Sequence, residues 1–250
     1  MKHTLFALLC LSFALPAAMV SAEGSSSKAY ELRTYTTNEG KLPNLNARFK
    51  DHTVGLFEKH GMENIVYWIP TAEDKKDNTL VYIIAHDSRE AAKTNWKGFG
   101  GDPAWKKVNK ESQVDGRILS KGPKSVYMSE TDFSPHALKN GKETRLFELR
   151  TYTTAPGRLP NLLQRFRDGE LDMFTKHGMT NIMYFVPSDK ENTLIYIVAH
   201  KDLASAKASW KGFSGDPEWK TLHKASLESG KIVIKVEKEF VTPTDYSPLK

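Results

Sequence analysis

The sequence predicts an α+β protein of two tandem units, each ordered strand, helix, strand, strand, helix, strand, whose two sheets face one another within a single chain. Three observations predict it: a domain-sized internal repeat, the same succession of strand and helix signals in each copy, and hairpin strands that are apolar on both faces. At 250 residues, 39% hydrophobic and 26% charged, the chain can bury a core and is too apolar for a disordered one.

The repeat is read directly. Tyr30-Glu31-Leu32-Arg33-Thr34-Tyr35-Thr36-Thr37 returns as Phe147-Glu148-Leu149-Arg150-Thr151-Tyr152-Thr153-Thr154, an offset of 117. From Tyr30 to Pro70 the copies share 24 of 41 positions, and from Asn78 to Lys106 against Asn192 to Lys220 they share 18 of 29. A period above one hundred residues is too long for a solenoid unit, so it marks duplication of a whole small domain. The expected organisation is a leader over 1–22, a first domain over 28–135, a linker over 136–145 and a second domain over 146–250.

The first strand carries Thr34, Tyr35 and Thr36, good strand formers, and is ended by Asn38, Glu39 and Gly40. A helix follows, with Pro43 in its first turn, Leu45, Phe49, Leu56 and His60 on one face, and Gly61 as its C′ residue. The second copy places Leu162, Phe166, Met173, His177 and Gly178 in the same roles. Ile65 to Ile69 and Leu80 to Ala85 read as an antiparallel hairpin, matched by Ile182 to Val186 and Leu194 to Ala199. The second helix starts near Arg89, breaks at Gly100-Gly101 and restarts with Asp102 as cap and Pro103 in its first turn, a device repeated at Asp216-Pro217. A last strand spans Ser125 to Ser129, and its twin lies near Lys235 to Val241.

This βαββαβ order is that of a ferredoxin-like unit, in which two helices cover one face of a four-stranded antiparallel sheet. The hairpin strands nevertheless carry Leu80, Tyr82 and Ile84 on one parity and Val81 and Ile83 on the other. Apolarity on both faces demands cover on both. The second copy of the same sheet is the simplest cover, giving a barrel-like pseudo-dimer within one polypeptide.

The N-terminus reads as an export signal: Lys2, an apolar stretch from Leu5 to Leu15, and Val20-Ser21-Ala22 before Glu23. Cleavage there removes Cys10, the one cysteine, so the mature chain forms no disulfide, and the expected location is secreted or periplasmic. With the leader gone the net charge of +6 falls by Lys2 to +5, and the remaining basic residues are interleaved with acidic ones. No basic stripe points to nucleic acid, and a mean hydropathy of -0.50 does not suggest a membrane span once the leader is removed.

The strings Tyr30-Glu31-Leu32-Arg33-Thr34-Tyr35, Lys59-His60-Gly61-Met62, and Trp96-Lys97-Gly98-Phe99 followed by Asp102-Pro103-Ala104-Trp105 resemble the NIPSNAP domain family, and both copies carry them. The resemblance implies the dimeric α/β-barrel superfamily, which pairs two ferredoxin-like sheets. It implies no single activity, since that superfamily includes cofactor-free monooxygenases, haem-handling enzymes and small-molecule isomerases.

Among candidate site residues, Glu31, Arg33 and Tyr35 share one parity of the first strand, and Glu148, Arg150 and Tyr152 repeat it. If that parity lines the space between sheets, Arg33, Tyr35, Arg150 and Tyr152 hold a small anionic or aromatic ligand. The alternatives are a structural ion pair, or a cofactor-independent monooxygenase or isomerase-like enzyme in which Glu31, Tyr35, His86, Glu148, Tyr152 and His200 are the candidates for proton abstraction or oxygen transfer. His86 and His200 close the third strand of each copy, where a ring would face the cavity mouth. His60 and His177 read as helix caps, and Trp96, Trp105, Trp210 and Trp219 as packing. A haem would need a helical ligand such as His60, His177 or His223, without a fingerprint for it. No metal motif, phosphate loop or nucleophile elbow is present, and neither metal nor cofactor is expected. A filled barrel serving as a protein-interaction module is the remaining alternative, and further oligomerisation is open.

Overall fold

A computed structural model of the protein describes residues 28–135 and 144–250. The expected export signal and most of the expected linker lie outside the described residues.

The first half runs β1 (Ala29–Thr36), α1 (Leu42–Arg48), a π-helical turn (Phe49–Thr53), α2 (Val54–Lys59), β2 (Glu63–Pro70), β3 (Thr79–His86), α3 (Arg89–Gly101), α4 (Pro103–Glu111) and β4 (Lys124–Glu130). The second half repeats it as β5 (Leu146–Thr154), α5 (Leu159–Arg165), a π-helical turn (Phe166–Glu170), α6 (Leu171–Lys176), β6 (Thr180–Pro187), β7 (Thr193–His200), α7 (Leu203–Gly215), α8 (Pro217–Ser226) and β8 (Val233–Pro243). Asp102 and Asp216 cap α4 and α8 through the amides of Ala104 and Glu218.

The two sheets form one closed antiparallel barrel in the order β1-β3-β2-β8-β5-β7-β6-β4. Two seams join the halves: β2 pairs with β8 through Ile69 opposite Thr242, and β4 pairs with β6 through Ser129 opposite Val186. Backbone bonds extend both seams, from Thr71 N to Phe240 O and from Ser188 N to Tyr127 O. Closure leaves no free sheet edge between the halves.

The two-sided apolarity of the hairpin strands is thereby resolved. Val66, Trp68, Val81, Ile83 and Met128 turn into the lumen and meet Phe147, Phe185, Ile195, Ile197 and Val241 from the other half. Tyr67, Leu80, Tyr82 and Ile84 turn outward beneath the helices with Leu45, Phe49, Phe57 and Phe99, and the second half has the corresponding cluster. Burying five large side chains at about 2 kcal/mol each is worth about 10 kcal/mol per half, comparable to the whole stability of a small domain. Neither half keeps that term with its inner face wet.

The helix after β1 departs from the regular period that the sequence suggests. The π-helical turn adds one residue, which rotates everything after it by one position, so the buried side chains are Phe57 and Phe174 rather than Leu56 and Met173. Thr53 Oγ1 accepts no backbone bond there; it donates to the Arg48 carbonyl at 3.0 Å across the turn. In the second half Gly169 takes φ 138° at this turn, a conformation that favours glycine.

His60 and His177 end α2 and α6, with Nε2 2.7 Å from Asp102 and Asp216. Each ring also fills the space over a glycine: a Cβ on Gly98 would meet His60 Nδ1 at 2.9 Å, and one on Gly212 would meet His177 Nδ1 at 2.7 Å. Gly98→Ala and Gly212→Ala are each expected to destabilise by about 1–3 kcal/mol in urea unfolding. Gly100→Ala, in open space on the same helix as Gly98, is expected to be neutral or to stabilise by about 0.5–1 kcal/mol.

Candidate functional site

Register fixes where the shared charged stripe points. Glu31, Arg33 and Tyr35 lie opposite Ile84, Tyr82 and Leu80, all on the helix side, while Leu32 and Thr34 turn into the lumen beside Ile83 and Val81. The expectation that Glu31, Arg33, Tyr35 and their twins line the space between the sheets is therefore corrected: the lumen takes the more apolar parity. His86 and His200 are likewise on the helix side and buried, not at a cavity mouth.

Glu31 sits in a closed set of donors. Arg33 Nη1 and Ser125 Oγ both donate to Oε1 at 2.5 Å, Trp96 Nε1 donates to Oε2 at 2.7 Å, and His86 Nε2 lies 3.3 Å from Oε2. The Asn95 amide nitrogen lies 3.2 Å from His86 Nδ1. An amide nitrogen only donates, which leaves the imidazole proton on Nε2, aimed at Glu31. Arg33 stacks 4.3 Å from the Trp96 ring and donates through Nη2 to the Tyr35 hydroxyl at 3.3 Å.

Glu148 repeats the arrangement with Arg150 at 2.5 Å, Trp210 at 2.6 Å and His200 at 3.1 Å. Lys238 stands where Ser125 does, and Ser209 replaces Asn95, leaving His200 Nδ1 without a hydrogen-bond partner among the described residues.

Burial alone would raise the Glu31 carboxyl. The His86 hydrogen bond, the Arg33 charge and the Ser125 and Trp96 hydrogen bonds outweigh it and hold the group at about 2. Glu148 is lowered for the same reasons, burial opposing and His200 and Arg150 prevailing. A carboxylate held ionised by four donors, 1% exposed, is a structural anchor between strand and helix and a poor proton acceptor. The tryptophans expected as packing do pack, and Trp96 and Trp210 also pin the helices to these carboxylates.

Open space occurs elsewhere. The barrel mouth, at the ends of β1 and β5, holds a cavity of about 540 Å³ lined by Leu32, Val126, Leu149 and Ile195, with Thr34, Thr151 and Ser125 above them and Lys75, Lys124, Lys190, Lys238, Glu237 and Glu239 around them. Its charges are uneven. Lys124 and Glu237 lie opposite the equivalent residues Thr34 and Thr151, and Val126 and Glu239 lie opposite Leu32 and Leu149. On the β8 side Lys75 pairs with Glu239 at 2.5 Å and Lys235 with Glu237 at 2.9 Å. On the β4 side Lys124 and Lys190 have no ion-pair partner among the described residues. None of these mouth residues belongs to the stripe singled out in the sequence.

A second cavity, of about 420 Å³, lies between sheet and helices in the second half and includes Tyr152, Arg165, Glu170, Trp219 and His223. Of the candidate ligand residues, Tyr152 thus lines this cavity. Burial, and then Arg165, hold His223 below the ordinary imidazole range. No group of three or more potential metal ligands occurs among the described residues.

The NIPSNAP family model matches residues 30–135 and again 147–248. The chain belongs to the NIPSNAP family. Among solved structures, a candidate monooxygenase from Fusobacterium nucleatum subsp. nucleatum matches over 88% of this chain and 94% of its own, with TM-score 0.60 and 10% identity. A chlorite dismutase variant from Candidatus Nitrospira defluvii matches over 89% and 93%, with TM-score 0.53 and 8% identity. A NIPSNAP family protein of unknown function from Agrobacterium tumefaciens covers 44% of this chain and 98% of its own at 20% identity, with TM-score 0.39. At such identities the first two likenesses show the fold alone: this NIPSNAP chain holds in one polypeptide a barrel of the dimeric α/β type. No curated protein matches its sequence.

Because the folded pKa of Glu31 lies below that of an unfolded glutamate, about 4.3, its stabilisation is present above pH 4.3 and lost as pH falls toward 2. Glu31→Gln is expected to destabilise at pH 7 by about 3 kcal/mol, since it leaves Arg33 buried without its anion. The gap between wild type and variant in urea unfolding should shrink steadily from pH 5 to pH 2.

Proposed function

We propose that this NIPSNAP protein is an exported binding protein that takes a small amphiphilic anion at the barrel mouth. One observation carries the reading: a solvent-reaching cavity of about 540 Å³, within the range of small-molecule sites, sets Lys124 and Lys190, which have no ion-pair partner among the described residues, over an apolar floor. Leu32, Val126, Leu149 and Ile195 are aliphatic and offer a surface for an alkyl body. Lys124 and Lys190 offer charge for a carboxylate or related acid. The uneven distribution orients the ligand, with its acid toward β4 and the β6–β7 turn and away from Glu237 and Glu239. Export is supported by the leader signature read in the sequence. The proton-transfer alternative receives less support, because Glu31, His86, Glu148 and His200 lie behind the barrel wall and line neither the mouth nor the cavity beneath α8.

Calorimetric titration of the full chain with decanoate tests the proposal. The expected result is saturable one-to-one binding, weakened at least tenfold, or about 1.4 kcal/mol, in Lys124→Glu with Lys190→Glu, and lost when Leu149→Trp fills the floor. Unchanged affinity in both variants would remove the mouth from consideration.

A further inference from the structure

The two halves diverge most beneath α4 and α8. In the first half a polar web closes the space against the sheet: Arg48 Nη1 donates to Asn109 Oδ1 at 3.2 Å and Ser112 Oγ at 3.4 Å, and Gln113 Nε2 donates to the Asn109 carbonyl at 2.9 Å. In the second half His223 and Leu227 stand at the positions of Asn109 and Gln113. The web is gone, and the cavity of about 420 Å³ takes its place.

The basic residue of that web persists and acquires a different partner. Arg165, the twin of Arg48, is 4% exposed, and its Nε donates at 2.7 Å to Glu170, which replaces Thr53. A carboxylate attached through Nε leaves the terminal nitrogens of Arg165 without a hydrogen bond among the described residues. This guanidinium lines the cavity and lies 5.2 Å from the Trp219 ring, which in turn stacks 5.0 Å from His223. Phe213, Tyr152 and Leu227 complete apolar walls, and Lys231 adds a positive charge with no ion-pair partner among the described residues.

A planar guanidinium with two open donors matches a carboxylate fork, and walls of aromatic rings favour a flat apolar body. We propose that the second half carries a binding site for a small aromatic carboxylate, with its acid group on the terminal nitrogens of Arg165 and its ring against Trp219 and Phe213. In the first half a smaller cavity, of about 220 Å³, lies at Arg48 and Ser112 of the web, and no Trp, Tyr or Phe lines it. The site lies outside the barrel wall, so it stands independently of the mouth.

Calorimetric titration of the full chain with 2-naphthoate, beside the uncharged naphthalene-2-carboxamide, tests the proposal. The acid is expected to bind at one saturable site at least tenfold tighter than the amide. His223→Asn with Leu227→Gln, which rebuilds the first-half web, should weaken the acid at least tenfold, with circular dichroism and the thermal midpoint reporting an intact fold. If that variant does not fold, Leu227→Trp, which fills the cavity from an existing apolar position, should produce the same loss. Lys124→Glu with Lys190→Glu at the mouth should leave 2-naphthoate affinity within twofold. Equal affinity for acid and amide, no saturable binding, retained affinity in the folded cavity variant, or loss in the mouth variant would each overturn the assignment.

Discussion

The burial of both faces of β3 and β7 is the constraint on which the rest of the molecule depends. A four-stranded sheet with helices on one side can hide Tyr82 and Tyr196, but it leaves Val81, Ile83, Ile195 and Ile197 in water. Duplication within one chain supplies a second sheet with the same defect. The two defects cancel when the edges join at the β2·β8 and β4·β6 seams. Because both halves are on one polypeptide, that association is intramolecular.

Closure then decides the chemistry of each parity of β1 and β5. The lumen accepts Leu32 and Leu149, so the charged parity must fall under the helices, where Glu31 and Glu148 need donors for every exposed oxygen lone pair. Arg33, Trp96 and His86 supply them in one half and Arg150, Trp210 and His200 in the other. The stripe that reads in sequence as a ligand site or a structural ion pair is, in three dimensions, the ion-paired fastening of α3 and α7 to the barrel. The positions where the halves agree are thus mainly those that hold the fold, whereas the mouth cavity and the cavity beneath α8 include positions where they differ.

Much of this was legible beforehand. The repeat, the βαββαβ order, the caps at Asp102 and Asp216 and the need for a second sheet all follow from residue type and spacing, because each is a local or periodic signal. Which parity of β1 faces inward was not, since Glu31-Arg33-Tyr35 and Leu32-Thr34 are both compatible with a buried strand until the pairing register is known. The π-helical turns were equally hidden: an extra residue in a helix leaves no mark except a one-position slip from Leu56 to Phe57. The identities of the repeat do not mark the two cavities, because what sets them apart are differences between the copies: Thr53 against Glu170 beside the shared Arg48 and Arg165, Asn109 against His223, and Val126 against Glu239.

Amide hydrogen exchange at the seams tests the closed barrel most directly. The amides of Thr71, Thr131, Ser188 and Thr244 donate across them to Phe240, Tyr184, Tyr127 and Tyr67 respectively. If the halves share one lumen, these four amides should exchange only through global unfolding, as slowly as those at the centres of β3 and β7. Exchange at the rate of open loops, with β3 and β7 still protected, would mean that the halves fold without closing on each other and would contradict the account.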